Sequence, residues 1–195
     1  KIIMPRNCHK SAINGLILSG AIPIFMKPLM DNELGIANGI DLKELEETIK
    51  EHPDSKAIFV VNPTYFGATS NLKEIVRIAH EHNMAVLVDE AHGAHFTFNR
   101  KLPISAIKAG ADMVSVSIHK SLGSLTQSSL LLSQGKLISQ NRVQSTLNIL
   151  NSTSPSSLLM ASLDTTRSLM ATSGSDLINH AIELSNDARK EINKI

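Results

Sequence analysis

Ser115-Val116-Ser117-Ile118-His119-Lys120-Ser121-Leu122-Gly123-Ser124 decides how this chain reads. The run from Met113 to Val116 leads into Ser-x-His-Lys and then into small residues, the pattern of a buried strand that ends in a turn. A lysine just past such a strand is an odd place for a surface charge. It is a good place for an amine that must reach a bound carbonyl group. Working backwards, Met84-Ala85-Val86-Leu87-Val88-Asp89-Glu90-Ala91-His92 is a second apolar strand, and it ends in an acid. One helical stretch separates the two, the spacing of a strand–helix–strand unit that brings two strand ends together.

The rest of the chain repeats that alternation. Ser11 to Ser19 has helical spacing, with Asn7 or Ser11 as its cap and Gly20 as its end. Ala21 to Phe25 reads as a short strand closed by Pro28, and Asp31 to Ile40 as a loop. Asp41 caps a helix over Leu42 to Glu51, with Glu44 as capping-box partner. Lys56 to Val61 is a continuous apolar strand that runs into the loop Asn62-Pro63-Thr64-Tyr65-Phe66-Gly67. Asn71 to Asn83 is amphipathic, with Leu72, Ile75, Val76 and Ala79 on one face. After Met84 to Val88 come a short helix over Leu102 to Ala109 ended by Gly110, a strand over Asp112 to Ser117 and another over Ser128 to Ser133. From Gly135 the pattern is helical, broken at Ser152-Thr153-Ser154-Pro155. Pro155 opens a new helix, and Gly174 divides that helix from a last one over Asp176 to Ile195. Continuous apolar strands alternating with helices predict an α/β fold: a mostly parallel sheet flanked by helices on both faces, with ligands at the carboxyl ends of the strands.

Composition bounds the function classes. A chain of 195 residues is one domain by the usual prior and can bury a real core. The net charge of +1 gives no electrostatic footprint for nucleic acid or an anionic membrane. The single cysteine, Cys8, allows no internal disulfide and points to a reducing compartment, the cytoplasm. No apolar run reaches the roughly 18 residues that a spanning helix needs. The chain opens as if mid-strand, at Lys1-Ile2-Ile3-Met4-Pro5, and stops inside a helical pattern. Both features suggest a piece of a longer protein.

Lys120 and Asp89 together suggest pyridoxal 5'-phosphate. A lysine amine holds an aldehyde cofactor as an imine, which a substrate amine displaces. A carboxylate at a neighbouring strand end can pair with a protonated pyridine nitrogen and keep the ring an electron sink. Ser117 and His119, flanking the lysine, are candidate hydrogen-bond donors to a phosphate. His92, three positions after Asp89, can reach the ring's phenolic oxygen. His9, in Arg6-Asn7-Cys8-His9-Lys10-Ser11, offers a flat imidazole for stacking. Asp89, Glu90, His92 and His95 also form a possible metal set, but the His-x-x-His spacing is poor for one helix face and no further ligands complete it, so no metal is expected. His80 and His82 read as solvated helix residues.

Asp89-Glu90-Ala91-His92-Gly93-Ala94-His95-Phe96, Ser117-Ile118-His119-Lys120, Thr126-Gln127, Arg6-Asn7-Cys8-His9-Lys10-Ser11 and Thr153-Ser154-Pro155-Ser156 resemble the bacterial ornithine/lysine/arginine decarboxylase family along most of the chain. The resemblance implies the aspartate-aminotransferase-like fold (fold type I) and pyridoxal 5'-phosphate as cofactor. It implies that Lys120 bears the cofactor, Asp89 pairs with its ring nitrogen, Ala91 lies against one ring face and His9 stacks on the other. Ser117 and His119 would then contact the phosphate, and His92 the phenolic oxygen. Thr64 falls in a loop near the site, with no chemistry assigned. The family's phosphate-cradling loop precedes the His9 segment, and its smaller C-terminal domain follows. The resemblance therefore makes residues 1–195 a single cofactor-binding large domain that lacks both, expected to be weakly active or inactive alone. The expected reaction is decarboxylation of lysine, arginine or ornithine by a homodimer. Rival expectations are another chemistry on the same fold, an aminotransferase or an α-oxoamine synthase, and a silent core or dimerisation module.

Overall fold

A computed structural model describes residues 1–194. In chain order the elements are β1 (Ile2–Pro5), α1 (Lys10–Ser19), β2 (Pro23–Met26), β3 (Met30–Asp31), β4 (Ile36–Ala37), α2 (Leu42–Glu51), β5 (Ala57–Val61), α3 (Leu72–Glu81), β6 (Ala85–Asp89), a 3-10 turn (Phe96–Phe98), α4 (Ala106–Ala109), β7 (Met113–Val116), α5 (Ile118–Ser121), β8 (Leu130–Ser133), α6 (Gln140–Leu150) and α7 (Ser157–Ile192). Six strands form one sheet in the order β2-β1-β5-β6-β7-β8. All pairs are parallel except β7 with β8, which is antiparallel. The fold is thus the expected mostly parallel α/β sheet with helices.

The strand order explains where a site can form. From β1 the chain crosses outward to β2, then returns past β1 to β5 and continues the other way through β6 and β7. Connections therefore diverge between β1 and β5, and in parallel α/β sheets such a divergence marks the ligand crevice at the carboxyl ends of the strands. Residues just beyond β1, β5, β6 and β7 all lie at that carboxyl edge.

One face of the sheet is fully covered. Ile3, Ile58, Val60, Val86, Val88, Val114 and Val116 are buried in one cluster with Leu45 and Ile49 of α2, Leu72, Ile75, Val76, Ile78 and Ala79 of α3, and Ala106 of α4. The alternate residues Phe59, Leu87 and Met113 are only half-buried, and Ser115 is exposed. Cover is complete on the first face; on the second, Met4 and Ala85 are buried while α1 buries none of its residues.

Several boundaries differ from the sequence reading for local reasons. The N-cap of α1 is His9, not Asn7 or Ser11: His9 Nδ1 accepts from the Ser11 backbone N–H at 3.2 Å and lies 2.8 Å from Ser11 Oγ. Glu44 makes no capping box; its Oε1 accepts from the Lys27 backbone N–H at 2.9 Å, while Asp41 caps α2 through Lys43. The loop after Pro28 contains the small hairpin β3–β4, with Asp31 Oδ1 accepting from the Glu33 and Leu34 backbone N–H groups. Helix α4 is only the last turn of the stretch assigned to it. Ser156, not Pro155, begins α7 by accepting from the Leu159 backbone N–H. Gly174 does not end that helix. It lies buried mid-helix, where a Cβ would stand 2.8 Å from Met170 Cε and 3.5 Å from Phe98 Cβ, so it serves the close approach of α7 to the 3-10 turn. His80 is not simply solvated: its Nε2–H donates to Asp112 Oδ2 at 2.9 Å.

Candidate active site

The site is built from three strand ends and the loop beyond a fourth. Asp89 is the last residue of β6, in register with Val61 of β5 and Ser115 of β7. Its position is pinned on both sides: the Asn62 N–H donates to the Asp89 carbonyl, and the Glu90 N–H to the Ser115 carbonyl. One carboxylate oxygen, Oδ1, accepts from the Ala91 backbone N–H at 3.1 Å. A tight turn follows, closed by the Gly93 N–H on the Glu90 carbonyl, and it carries Ala91 and His92 to the crevice.

Lys120 comes from the next strand end. After β7, Ser117 starts the single turn α5, and the Lys120 N–H donates to the Ser117 carbonyl at 3.2 Å. That turn brings Lys120 Nζ to 3.4 Å from His92 Nε2, where an ammonium donates to the imidazole. Burial pushes the His92 pKa down, the Lys120 charge pushes it further, and the Asp89 carboxylate opposes both. His92 is therefore an uncharged imidazole at neutral pH, beside an amine and near a carboxylate.

The other expected residues are placed less directly. The Ser117 hydroxyl makes no capping bond. His119 turns towards β8: its Nδ1–H donates to the Ser128 carbonyl at 2.8 Å, which leaves Nε2 as the free ring atom. His9 is exposed at the start of α1, held by Ser11. Burial raises the Cys8 thiol pKa and the Asp89 charge adds to this, which ties the His9 loop electrostatically to the end of β6. Thr64 is structural: it is buried, and its Oγ1 accepts from the Ala68 backbone N–H.

Three residues in or beside the site have surroundings that the sequence reading did not assign to them. Tyr65 sets its ring edge-on to His92, centroids 5.7 Å apart at 88°. Asn7, in the His9 loop, has a buried side-chain oxygen without a hydrogen-bond partner. Glu90 points inward, away from the crevice. It is 3% exposed, and its Oε1 accepts from the Ala106 backbone N–H at 2.7 Å. Burial raises its pKa to about 7. An acid directly after Asp89 in a strand-end turn was the available signal for Glu90; nothing local marked the other two.

An amine, a free carboxylate oxygen and a neutral imidazole thus converge at adjacent strand ends, which suits an aldehyde cofactor with a protonatable ring. Residues 1–195 match the family described as Orn/Lys/Arg decarboxylase, major domain. The chain belongs to that family. It is 51% identical over its whole length to arginine decarboxylase of Bacillus subtilis strain 168, of which it spans 40%. The solved constitutive lysine decarboxylase of Escherichia coli superposes with a TM-score of 0.83 at 26% identity, over 99% of this chain and 29% of that one. A structure of SPT with PLP shares the fold, with a TM-score of 0.64 at 21% identity over 88% of this chain and 41% of that one. The chain therefore spans about two fifths of the length of its first curated relatives. This Orn/Lys/Arg decarboxylase domain has no helix long and apolar enough to cross a membrane, and no group of three metal-binding side chains, among its described residues.

Proposed function

We propose that this chain is the cofactor-binding large domain of a pyridoxal 5'-phosphate-dependent decarboxylase of a basic amino acid, with arginine as the first substrate to test. The observation that carries the reading is Lys120 Nζ at 3.4 Å from His92 Nε2, next to the strand end that presents Asp89. The choice of arginine is supported by the name of the Bacillus subtilis relative at 51% identity.

When bound, the cofactor supplies an electron sink for the carbanion left by loss of CO₂. The chain's own groups prepare that chemistry. Lys120 is the amine that would anchor the aldehyde, and the uncharged His92 beside it accepts a hydrogen bond from that amine and holds it at the strand end. Asp89 has one oxygen committed to Ala91 and the other free to hold a ring N–H⁺, a charge-assisted contact. Ala91, lacking a longer side chain, can lie flat against a ring face, and His9 stacks from the opposite side. Ser117 donates its hydroxyl to the phosphate. His119 is held through Nδ1 on the Ser128 carbonyl, so Nε2 is the ring atom left to meet the phosphate. In this reading a phosphate loop and a small domain outside these residues complete the pocket, and the chain alone is weakly active or inactive. The working unit is a cytoplasmic homodimer, a reading supported by the exposed apolar side chains of Ile17, Leu18, Leu158 and Met160.

The test is a visible absorbance spectrum with added pyridoxal 5'-phosphate, followed by borohydride reduction, peptide mapping and product analysis with arginine, lysine and ornithine. The expected result is a new band and mass fixed on Lys120, with CO₂ and the matching amine formed by the full-length protein. Mass fixed on another lysine, or a band that survives Lys120→Ala, refutes the assignment. If the chain shows no band but a longer form of the protein does, the phosphate site lies partly outside these residues. No band in either refutes the reading.

A further inference from the structure

The loop after β5 holds two aromatic rings where a soluble domain would ordinarily bury them. Tyr65 is 79% exposed and Phe66 57%, and the two rings meet edge-to-face with centroids 5.4 Å apart. The loop that carries them is pinned. The Thr64 N–H donates to the Ala68 carbonyl at 2.8 Å, the Gly67 N–H to the Thr64 carbonyl at 3.0 Å, and the Ala68 N–H to Thr64 Oγ1 at 3.2 Å. At its base, the buried Asn62 accepts from the Ser70 backbone N–H through Oδ1 at 2.7 Å. The rings are thus displayed by a preorganised turn. Tyr65 also touches His92, the residue nearest the Lys120 amine, so its ring lies one imidazole away from the reacting position.

Both acids that these strand ends carry already have partners or an assigned role. In the strand-end segments Arg6–His9, Asn62–Phe66, Asp89–His92 and Ser117–Lys120 the only carboxylates are Asp89 and Glu90. Glu90 is turned inward to Ala106, and Asp89 is the group assigned to the ring nitrogen. No carboxylate in these segments is left for a second cation. An aromatic face attracts cations through its quadrupole, and this chain already uses that contact: the Arg6 guanidinium stands 5.4 Å from the centroid of Phe25.

We propose that Tyr65, braced by Phe66, is the seat for the distal cation of the substrate, a guanidinium or ammonium group at the end of an aliphatic chain. This rests on the basic amino-acid reading above and adds the residue that recognises the side-chain charge. The ring supplies the attraction, so the aromatic character matters and the hydroxyl does not.

The test uses the full-length protein and two small ligands without a carboxylate: agmatine, and N-carbamoylputrescine, in which a neutral urea replaces the guanidinium. Calorimetric titration should show tighter binding of agmatine. Tyr65→Phe should keep that preference. Tyr65→Leu, an exposed change that leaves the turn's hydrogen bonds intact, should weaken agmatine roughly 3- to 30-fold and move N-carbamoylputrescine less than about twofold. The proposal is overturned if wild type shows no preference for agmatine, if Tyr65→Leu binds it as wild type does, or if both ligands weaken equally. It is also overturned if Tyr65→Leu changes only the particle mass by light scattering, which would make the rings a protein contact. Decarboxylation is assayed separately. A protein with Tyr65-dependent agmatine binding and no decarboxylase activity would remove the functional reading alone. Normal arginine turnover with unchanged agmatine affinity in Tyr65→Leu would remove the Tyr65 assignment alone.

Discussion

Glu90→Gln should make this protein more stable above neutral pH and leave it nearly unchanged in mild acid. Glu90 lines a small cavity of about 120 Å³ with Ala94, Ile107, Val116, Ile118, Leu130 and Leu132, and this burial raises its pKa from 4.5 to about 7. The bond from the Ala106 N–H works the other way but does not cancel it. As pH rises past 4.5, an unfolded chain gives up the Glu90 proton while the folded chain keeps it until about 7. The unfolded state then binds fewer protons, so stability falls across that window and stays low above it. The gap corresponds to roughly 3 kcal/mol. A glutamine at this position accepts the same Ala106 N–H through its amide oxygen and carries no charge to desolvate. Urea unfolding followed by circular dichroism, for both proteins at about pH 5 and about pH 8, measures the difference of differences. Other groups titrating in the window are common to both proteins and cancel. The expected gap favours Glu90→Gln by roughly 3 kcal/mol near pH 8 and shrinks to below about 1 kcal/mol near pH 5. An equal gap at both pH values, or a wild type at least as stable near pH 8, would refute the account of Glu90 as a buried acid held neutral by its surroundings.

Four further variants test other contacts of the same sheet. Gly93→Ala would place a Cβ 2.7 Å from Glu90 Cγ and 2.8 Å from Pro63 Cδ, and should lower stability by about 1–3 kcal/mol in the same urea assay. Asp112→Ala should cost about 1–3 kcal/mol, because Asp112 Oδ2 serves both the Val86 backbone N–H at 2.8 Å and His80 Nε2 at 2.9 Å, and the sheet N–H would be left unpaired. His80→Ala, which strips only the half-exposed partner, should cost clearly less in parallel melts. Lys120→Ala should raise the His92 pKa towards the ordinary histidine value without fully reaching it, since the cation is removed while burial, the larger cause, remains; NMR titration of the His92 ring reads this directly.

The sheet was legible because its middle strands are apolar runs with nothing else to be. Ala57–Val61 and Ala85–Asp89 pair residue for residue, and the acid at the end of the second marks the carboxyl edge. Asp89 and Lys120 could be matched from sequence because they sit at the ends of two successive parallel strands, where neighbouring ends are nearly forced together. Direction and boundaries were less legible. Nothing in Leu130–Ser133 distinguishes an antiparallel strand from a parallel one, since the turn through Ser117 to Ser128 decides it. Gly174 looked like a stop because glycine is a poor helix former, yet the contact with Phe98, far away in sequence, selects it. The flat ring of His9 suggests stacking, whereas its capping of α1 depends on where the chain leaves β1. Tyr65 was invisible for the same reason: its meaning comes from the side-by-side placement of the β5 and β6 ends.

The turn from Asp89 to Phe96 explains why site and stability are joined in this domain. Its residues divide between two directions. Asp89 and His92 lie at the carboxyl edge beside Lys120, while Glu90 is driven into the apolar interior and Gly93 is packed so closely that a methyl group does not fit. The inward residues fix the outward ones: Glu90 accepts from the Gly93 N–H through its carbonyl and from the Ala106 N–H through its carboxyl, and its own N–H donates to the Ser115 carbonyl, so the turn is tied to α4 below and to β7 beside it. A change that only fills space at Gly93 must therefore shift either Glu90 or Pro63. Pro63 lies between Asn62, which accepts from Ser70, and the loop that presents Tyr65. Gly93→Ala should for this reason disturb His92 and Tyr65 together, whereas Glu90→Gln, which preserves both bonds, should disturb neither. Ring chemical shifts of the two residues separate these cases, and equal perturbation by both variants would show that the charge of Glu90, not the geometry of the turn, sets the crevice.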